Sequence, residues 1–178
     1  MAEQNYPWFT LVTGDDLEQG DILEKCAVFS PPDSLSSGAT SAEFEENIYN
    51  VIIVSQSCDI TKRSDALSHV LLCSVWTIDE LMANRGMRAK RDELENLRRG
   101  KRPALHLLNR CEVPGFERDF RIVDFSHVYS LPIRYVRTIA EKYPNRLRLC
   151  PPYREHLSQG LARYFMRVGL PVDIKPFK

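Results

Sequence analysis

The chain has 178 residues, of which 43% are hydrophobic and 27% charged, and its formal net charge at neutral pH is zero. This length and composition suit one globular domain with its own core and argue against wholesale disorder. No apolar run approaches the roughly 20 residues that span a bilayer, and the first residues lack the basic and apolar regions of a signal peptide. We therefore predict a cytoplasmic protein, without a membrane interaction, that forms a single domain over residues 1–178.

Charge is distributed unevenly along the chain. The first 50 residues contain ten carboxylates and one lysine, so the remainder carries a matching positive excess. An acidic surface for a basic partner, together with a basic surface for nucleic acid, would produce this asymmetry. Packing of the two parts against each other, with local neutralisation, would produce it equally well.

Three strands are predicted in the first half of the chain, at residues 22–29, 48–55 and 69–76. Residues 51–54 read Val-Ile-Ile-Val, an unbroken β-branched run that is typical of a strand buried on both faces. We expect this strand to be central, with the third as its neighbour because sequential strands often pair. Residues 31–41 are rich in Pro and Ser and are predicted to form a loop.

Two helical regions are predicted. Thr77 and Glu80 match a capping box, so a helix should begin at Thr77. Gly86 interrupts it and a second segment follows, which makes residues 77–102 a helical insertion. Residues 151–169 are predicted to form a C-terminal helix, because apolar residues recur there at three- and four-residue steps. Its apolar face comprises Leu157, Leu161, Tyr164, Phe165 and Val168.

Short β-like runs separated by Pro, Gly and Asn turns lie between the two helical regions. They cover residues 104–108, 119–124, 128–131, 133–139 and 146–150. Such a series indicates a compact antiparallel barrel or a strongly curved sheet. The sequence therefore predicts a mainly β protein of the α+β class, a small β-barrel with a helical insertion and a docked C-terminal helix.

Two motifs carry a family resemblance: Gly-Asp-Ile-Leu at residues 20–23, and Ser-Gln-Ser-Cys-Asp at residues 55–59, which follows the central strand. The chain resembles a group of small uncharacterised bacterial proteins with that second motif, and the likeness extends to residues 122–125 and 153–157. Residues 20–60 are also similar to the PemK and MazF toxin group. That similarity implies an SH3-like barrel and a toxin, stress or phage-defence context.

The toxin group also implies ribonuclease activity, with a basic residue just before the hydrophobic strand. Here the corresponding residues 43–48 read Glu-Phe-Glu-Glu-Asn-Ile. Carboxylates beside a phosphodiester would repel it and oppose the negative charge that develops during cleavage. This departure favours a binding protein over a ribonuclease of the toxin type.

Catalytic candidates are Cys58 and Asp59, which the central strand would deliver to the rim of the sheet, together with His106. A cysteine nucleophile needs a base, and no spacing identifies which of His69, His106, His127 and His156 would serve. The structural alternative is that Cys58 packs as a small apolar residue while Asp59 caps a turn. The five cysteines are scattered and odd in number, which predicts reduced thiols. No Cys or His pair has the spacing of a zinc site, so we predict neither a metal nor another cofactor.

Basic residues concentrate in the helical insertion and outnumber its carboxylates, Asp92, Glu93 and Glu95. Such a surplus can bind phosphates and release counterions. The same residues suit an ordinary solvent-facing helix, because Arg91 and Glu95, and Glu95 and Arg99, stand four apart. The predicted residues for binding a partner or nucleic acid are Arg85, Arg88, Arg91, Arg98, Arg99, Lys101, Arg102 and Arg154.

The leading hypothesis is a small barrel-type binding or regulatory protein that contacts a macromolecular partner. A protein is the expected partner, RNA or DNA is the second choice, and a homodimer is left open. The rival hypothesis is a ribonuclease or other phosphodiesterase with a site rebuilt around Asp59, His106 and the C-terminal arginines.

Overall fold

The computed structural model describes residues 6–30, 32, 44–61, 67–86 and 91–166. Seven strands and five helices lie in this part of the chain. The strands are β1 (Phe9–Val12), β2 (Asp21–Ser30), β3 (Glu45–Ile53), β4 (His69–Thr77), β5 (Leu105–Leu108), β6 (Arg121–Pro132) and β7 (Arg146–Leu149). The helices are α1 (Ser57–Thr61), α2 (Ile78–Asn84), α3 (Arg91–Arg98), α4 (Ile133–Lys142) and α5 (Tyr153–Phe165). No helix within the described ranges is long and apolar enough to cross a membrane.

All seven strands form one sheet in the order β1-β7-β2-β3-β4-β6-β5, with antiparallel pairing throughout. β3 lies in the middle, between β2 and β4, as its sequence predicted. β1 and β5 form the two edges, and no pairing among the described strands joins them into a closed barrel. The α+β class with a mostly antiparallel sheet is therefore confirmed.

Three groups of buried side chains hold the layers together. The α5 core lies on one face of the sheet and includes residues of every strand and of α5: Phe9, Ile22, Ile52, Val54, Cys73, Val75, Leu108, Cys111, Val123, Phe125, Leu147, Leu149 and Leu157. The α4 core lies on the opposite face and includes Leu23, Val51, Ile53, Ile60, Leu72, Val136, Ile139 and Ala140. The insertion core joins α2 and α3 to β5 and β6 through Leu81, Met82, Leu97, Leu105 and Ile122.

The central strand is buried on both faces. Successive side chains of a strand point to opposite sides, so Ile52 enters the α5 core while Val51 and Ile53 enter the α4 core. None of the three has measurable exposure. The β-branched run therefore has the environment that its sequence predicted.

The predicted start of α2 is confirmed. The Glu80 amide donates to the Thr77 hydroxyl at 3.2 Å, and the Thr77 amide donates to the Glu80 carboxylate at 2.8 Å. These two bonds satisfy amides that would otherwise lack a partner at a helix N-terminus. Gly86 follows the helix with a φ of 61°, a conformation that glycine adopts without strain.

The predicted strand at residues 133–139 is wrong, because these residues begin α4. Val136, Ile139 and Ala140 are spaced by three and four residues and lie on one buried helix face. The β-branched residues of the run, Ile133, Val136, Thr138 and Ile139, suggested a strand, but burial of one helix face against the sheet decides the conformation. The two short strands predicted between residues 119 and 131 are parts of one strand, β6, and neither β1 nor α1 was predicted. Of the predicted C-terminal helix, residues after 166 lie outside the described ranges.

A buried ion pair joins β2 to β7. The Arg146 Nε atom donates to the Asp21 carboxylate at 2.9 Å, and both side chains are almost inaccessible. The Nη1 and Nη2 atoms of Arg146 donate to the carbonyl oxygens of Gly14 and Asp16. Each guanidinium nitrogen therefore has a partner, as a structural buried arginine requires.

Truncation of the central strand tests its burial on both faces. Ile52→Ala and Ile53→Ala should each lower the free energy of unfolding by about 2–5 kcal/mol, because each removes packed methyl groups from a different core. Ile48→Ala is the matched control on the same strand, since Ile48 is 64% exposed and should change the free energy by less than about 0.5 kcal/mol. Urea unfolding measures all three, and a small effect of either buried variant would contradict the two-sided packing.

Candidate functional site

A groove of about 570 Å³ lies between α5 and the segment that connects α3 to β5. Its described lining residues include three arginines and two histidines and no carboxylate. The polar members are Arg98, Arg102, His106, His156, Gln159 and Arg163, and Trp8 contributes an aromatic wall. The groove thus brings together Arg98, Arg102 and His106, which the sequence singled out. From α5 it adds Arg163, one of the C-terminal arginines of the rival hypothesis, and His156 and Gln159.

Two groove arginines are held in place by carboxylates outside the lining. Arg98 donates through Nε and Nη2 to Glu95 at 2.8 Å each, and Arg102 donates through the same two nitrogens to Glu93 at 2.6 Å. Hydrogen bonds from Arg98 and then Arg99 lower the pKa of Glu95 to about 2. A guanidinium carries five N–H donors, so each fixed arginine keeps donors for a ligand.

His106 forms a neutral part of the groove wall. Its ring lies 6.0 Å from the Phe125 ring, and a Cβ atom at Gly160 would stand 3.2 Å from its Nδ1 atom. Burial, and then the nearby His156, lower the pKa of His106 to about 4. Its buried Nε2 atom has no hydrogen-bond partner within the described residues. His106 therefore offers a neutral donor or acceptor at physiological pH, and no charge.

Trp8 and Arg163 complete the groove at its other wall. The Trp8 ring stacks on Tyr153, with centroids 3.7 Å apart and an interplanar angle of 12°. Arg163 is exposed, and no ion pair fixes it among the described residues. The groove therefore combines an anchored aromatic surface with a cation that is free to engage a ligand.

The remaining predicted binding residues lie elsewhere. Arg154 contacts Glu18 and Glu155 instead of the groove, and Arg85 reaches Asp124. Arg99 pairs with Glu95 across one helical turn, which matches the solvent-facing alternative. Arg91 and Lys101 are exposed, and Arg88 lies outside the described residues.

The structure does not bring the three predicted catalytic residues together. Cys58 and Asp59 belong to α1, whose Ile60 packs into the α4 core, whereas His106 packs on the α5 side of the sheet. Cys58 is exposed and its sulfur lies 3.8 Å from the Asp59 carboxylate. No three His, Cys, Asp or Glu residues in the described part of the chain are arranged to hold a metal.

All five cysteines are free thiols. Burial raises the pKa of Cys26 to about 11, and burial together with the Asp124 charge raises that of Cys73 to about 12. These two thiols stay protonated at neutral pH and fill space in the cores, as small apolar residues do.

A second polar cluster lies at an irregularity of β6 that the sequence analysis missed. Cys73 pairs with Val128 and the next residue of β4, Ser74, pairs with Asp124, so three residues of β6 bulge out of the ladder. The Asp124 side chain is 1% exposed. It accepts from the Ser126 amide at 3.0 Å and hydroxyl at 2.5 Å, from His127 Nδ1 at 3.1 Å and from Arg85 Nη2 at 3.1 Å.

This cluster has the geometry of a carboxylate-oriented histidine. Burial opposes ionisation of Asp124, but the hydrogen bonds from Ser126 and His127 outweigh it, so its pKa lies below the ordinary value. The His127 side chain is 54% exposed and its Nε2 atom has no described partner. The Trp76 ring lies 6.4 Å from the His127 ring. The one available sequence signal was an acidic residue inside the apolar run at 122–125.

The pH dependence of stability tests the state of His106. Because its folded pKa of about 4 is below the unfolded value near 6.5, the unfolded state binds the proton first as pH falls. Stability should therefore decline by about 3 kcal/mol between pH 6.5 and 4 from this residue and level off below. Urea unfolding across that range should show the decline in the wild type and in His69→Gln, an exposed control, but less of it in His106→Leu. An identical profile in His106→Leu would contradict a buried neutral imidazole.

Comparisons with family models, with curated proteins and with solved structures found no match to the chain. They do not bear on the resemblance to the PemK and MazF group. The groove and the Asp124 cluster are therefore the two places where the geometry of the protein bears on its function.

Proposed function

We propose that the protein binds single-stranded nucleic acid in the groove between α5 and the α3–β5 segment. The observation that carries this proposal is a lining with Arg98, Arg102 and Arg163 and without a carboxylate among its described residues. Proteins that bind single strands without strict sequence preference combine a cationic groove with aromatic side chains on which bases stack. Trp8, anchored on Tyr153, provides such an aromatic surface.

The groove chemistry favours an RNA or DNA strand over a simple anion. Trp8 and Leu107 line the groove beside the arginines, and a base can pack against such side chains whereas a simple anion cannot. The volume of about 570 Å³ is within the range of roughly 300–1,000 Å³ that ligand sites occupy. Arg98 and Arg102 are already oriented by Glu95 and Glu93, so binding would order little else.

The wider setting belongs to the same proposal. We propose an SH3-like or PemK-like kinship for the sheet and a regulatory role in a toxin, stress or phage-defence context, both supported by the sequence resemblance alone. We also propose a cytoplasmic location, supported by the composition of the chain. A protein partner would use the carboxylates of the acidic N-terminal third, which do not line the nucleic-acid groove.

Charge reversal tests the groove. Arg102→Glu and Arg163→Glu should each weaken binding of a fluorescent single-stranded RNA at least tenfold and reduce the salt dependence of log K by about one phosphate contact. Arg137→Glu on α4 is the matched control, because Arg137 is exposed on the other side of the sheet. Fluorescence anisotropy between 50 and 200 mM salt measures all four proteins. Equal losses in the control, or no binding by the wild type at low salt, would overturn the proposal.

A second candidate function, cleavage of a phosphodiester, is favoured by the Asp124 cluster. His127 Nε2 would take the proton of an attacking hydroxyl as its oxygen bonds to phosphorus. The bond to the leaving oxygen then breaks, and that oxygen receives a proton from water or from His127. Asp124 fixes the His127 ring and Arg85 stands where negative charge would develop. This arrangement replaces the Asp59 and His106 pairing expected from the sequence.

Loss of His127 separates the two candidates. If the second candidate is correct, the wild type cleaves mixed RNA in EDTA, and His127→Ala lowers the rate by about 10²–10⁴-fold without changing affinity in the groove. Asp59→Ala is the matched control and should cleave normally. Intact RNA after prolonged incubation with the wild type would overturn the enzymatic candidate and leave the binding proposal standing, whereas loss of cleavage in Asp59→Ala would return the site to α1.

A further inference from the structure

Arg121, the first residue of β6, is a buried cation that the described protein leaves unsatisfied. Its side chain is 5% exposed, and neither its Nε nor its Nη2 atom has a hydrogen-bond partner within the described residues. The nearest carboxylate oxygen, on Glu24, lies 3.9 Å from Nη1, which is too far for a hydrogen bond. Burial lowers the pKa of Arg121 despite the Glu24 charge.

The unsatisfied edge is the one that arginines of this chain use to hold carboxylates. Arg98, Arg102 and Arg118 each donate through Nε and Nη2 to a glutamate. The planar guanidinium matches the two oxygens of a carboxylate along this edge. The same pair of donors on Arg121, Nε and Nη2, lies inside the protein.

A structural role does not account for this side chain. The other deeply buried arginine, Arg146, has partners for all three of its nitrogens. The chain can therefore satisfy a buried guanidinium where it serves only the fold. A buried guanidinium with unmade hydrogen bonds costs stability, and proteins retain such costs where the group has a function.

Arg121 has apolar neighbours beside the charges of Glu24 and Arg118. The Phe9 ring centroid lies 6.0 Å from its Cζ atom, and Cys111 of the α5 core is close enough to influence its pKa. Residues 111–118 form a small hairpin, in which the Cys111 amide donates to the Arg118 carbonyl oxygen at 2.9 Å. Val113 and Phe116 of that hairpin pack against the α5 core. A ligand at Arg121 would therefore place its body among apolar side chains.

Glu24 ties this hairpin to β2 through an ion pair with Arg118. Its carboxylate accepts from Arg118 Nε at 3.1 Å and Nη2 at 3.2 Å. Glu24 stands at the irregularity of β2 between Leu23 and Cys26, next to Lys25 with a φ of 56°. The Glu24 carboxylate thus binds the hairpin through Arg118 and is also the negative charge nearest to Arg121.

We propose that Arg121 is the anchor of a binding site for a small carboxylic acid with an apolar body, reached by displacement of the hairpin at residues 111–118. The carboxylate pairs side-on with Nε and Nη2, and the body packs near Phe9. This site is independent of the groove beside α5 and of the Asp124 cluster.

Benzoate and its uncharged analogue benzamide test the site on the full chain. Benzoate should raise the Tm of the wild type in a concentration-dependent way, whereas benzamide, acetate and inorganic phosphate should not. Arg121→Met should bind benzoate at least tenfold more weakly by isothermal titration calorimetry. Without ligand, that variant should have a Tm higher by a few degrees, since roughly 2–4 °C corresponds to 1 kcal/mol at this size and the buried donors without partners are gone.

Glu24→Gln supplies a test in the opposite direction, which holds even if Arg121→Met fails to fold. It removes the charge that competes for Arg121 and the ion pair with Arg118, so benzoate should bind several-fold more tightly. Equal stabilisation by benzamide would show apolar binding only, and equal stabilisation by phosphate would show general anion binding; either result overturns the proposal. Unchanged or weaker benzoate binding in Glu24→Gln does so as well.

Discussion

The bulge of β6 at residues 125–127 is the constraint on which both candidate sites depend. It removes three residues from pairing with β4. The Asp124 carboxylate accepts from the amide and the hydroxyl of Ser126, so this unpaired part of the backbone has a hydrogen-bond partner. One consequence is that Phe125 turns into the α5 core and forms the floor of the groove. The other is that His127 is carried out to the surface beside Arg85.

The two faces of the sheet are specialised by the helices that cover them. α4 and α1 close one face with side chains such as Val136 and Ile60, while α5 closes the other through Leu157. α5 does not extend over the whole of its face, and the space left beside the insertion is the groove. Position relative to these helices, more than composition, therefore decides which charges meet. Arg98 and Arg163 line one groove although they are far apart in the chain, whereas Arg154, on the same helix as Arg163, pairs with Glu18.

The sequence predicted what local patterns control. The β-branched run of β3, the capping box at Thr77 and the apolar spacing of α5 each specify one element with little help from distant residues. α4 was mistaken for a strand because β-branched residues dominate it and only tertiary burial selects the helix. The sites were less accessible to prediction. The sequence identified His106 and Arg102 as single residues, but the contact between His106 and α5 results from long-range packing. The role of Asp124 results from a bulge in β6 that no local sequence motif indicates.

Gly160 gives the groove a property that its charged residues do not share. An added methyl group there would meet both His106 and Phe125 at 3.2 Å, so α5 can approach the sheet only where a side chain is missing. The lack of a Cβ atom at position 160 therefore sets the depth of the groove. The cations around the groove can vary without changing this depth. Exchange of surface arginines during evolution would change the ligand preference of the groove and leave its depth unchanged. A single alanine at position 160 would change the depth and leave every charge in place.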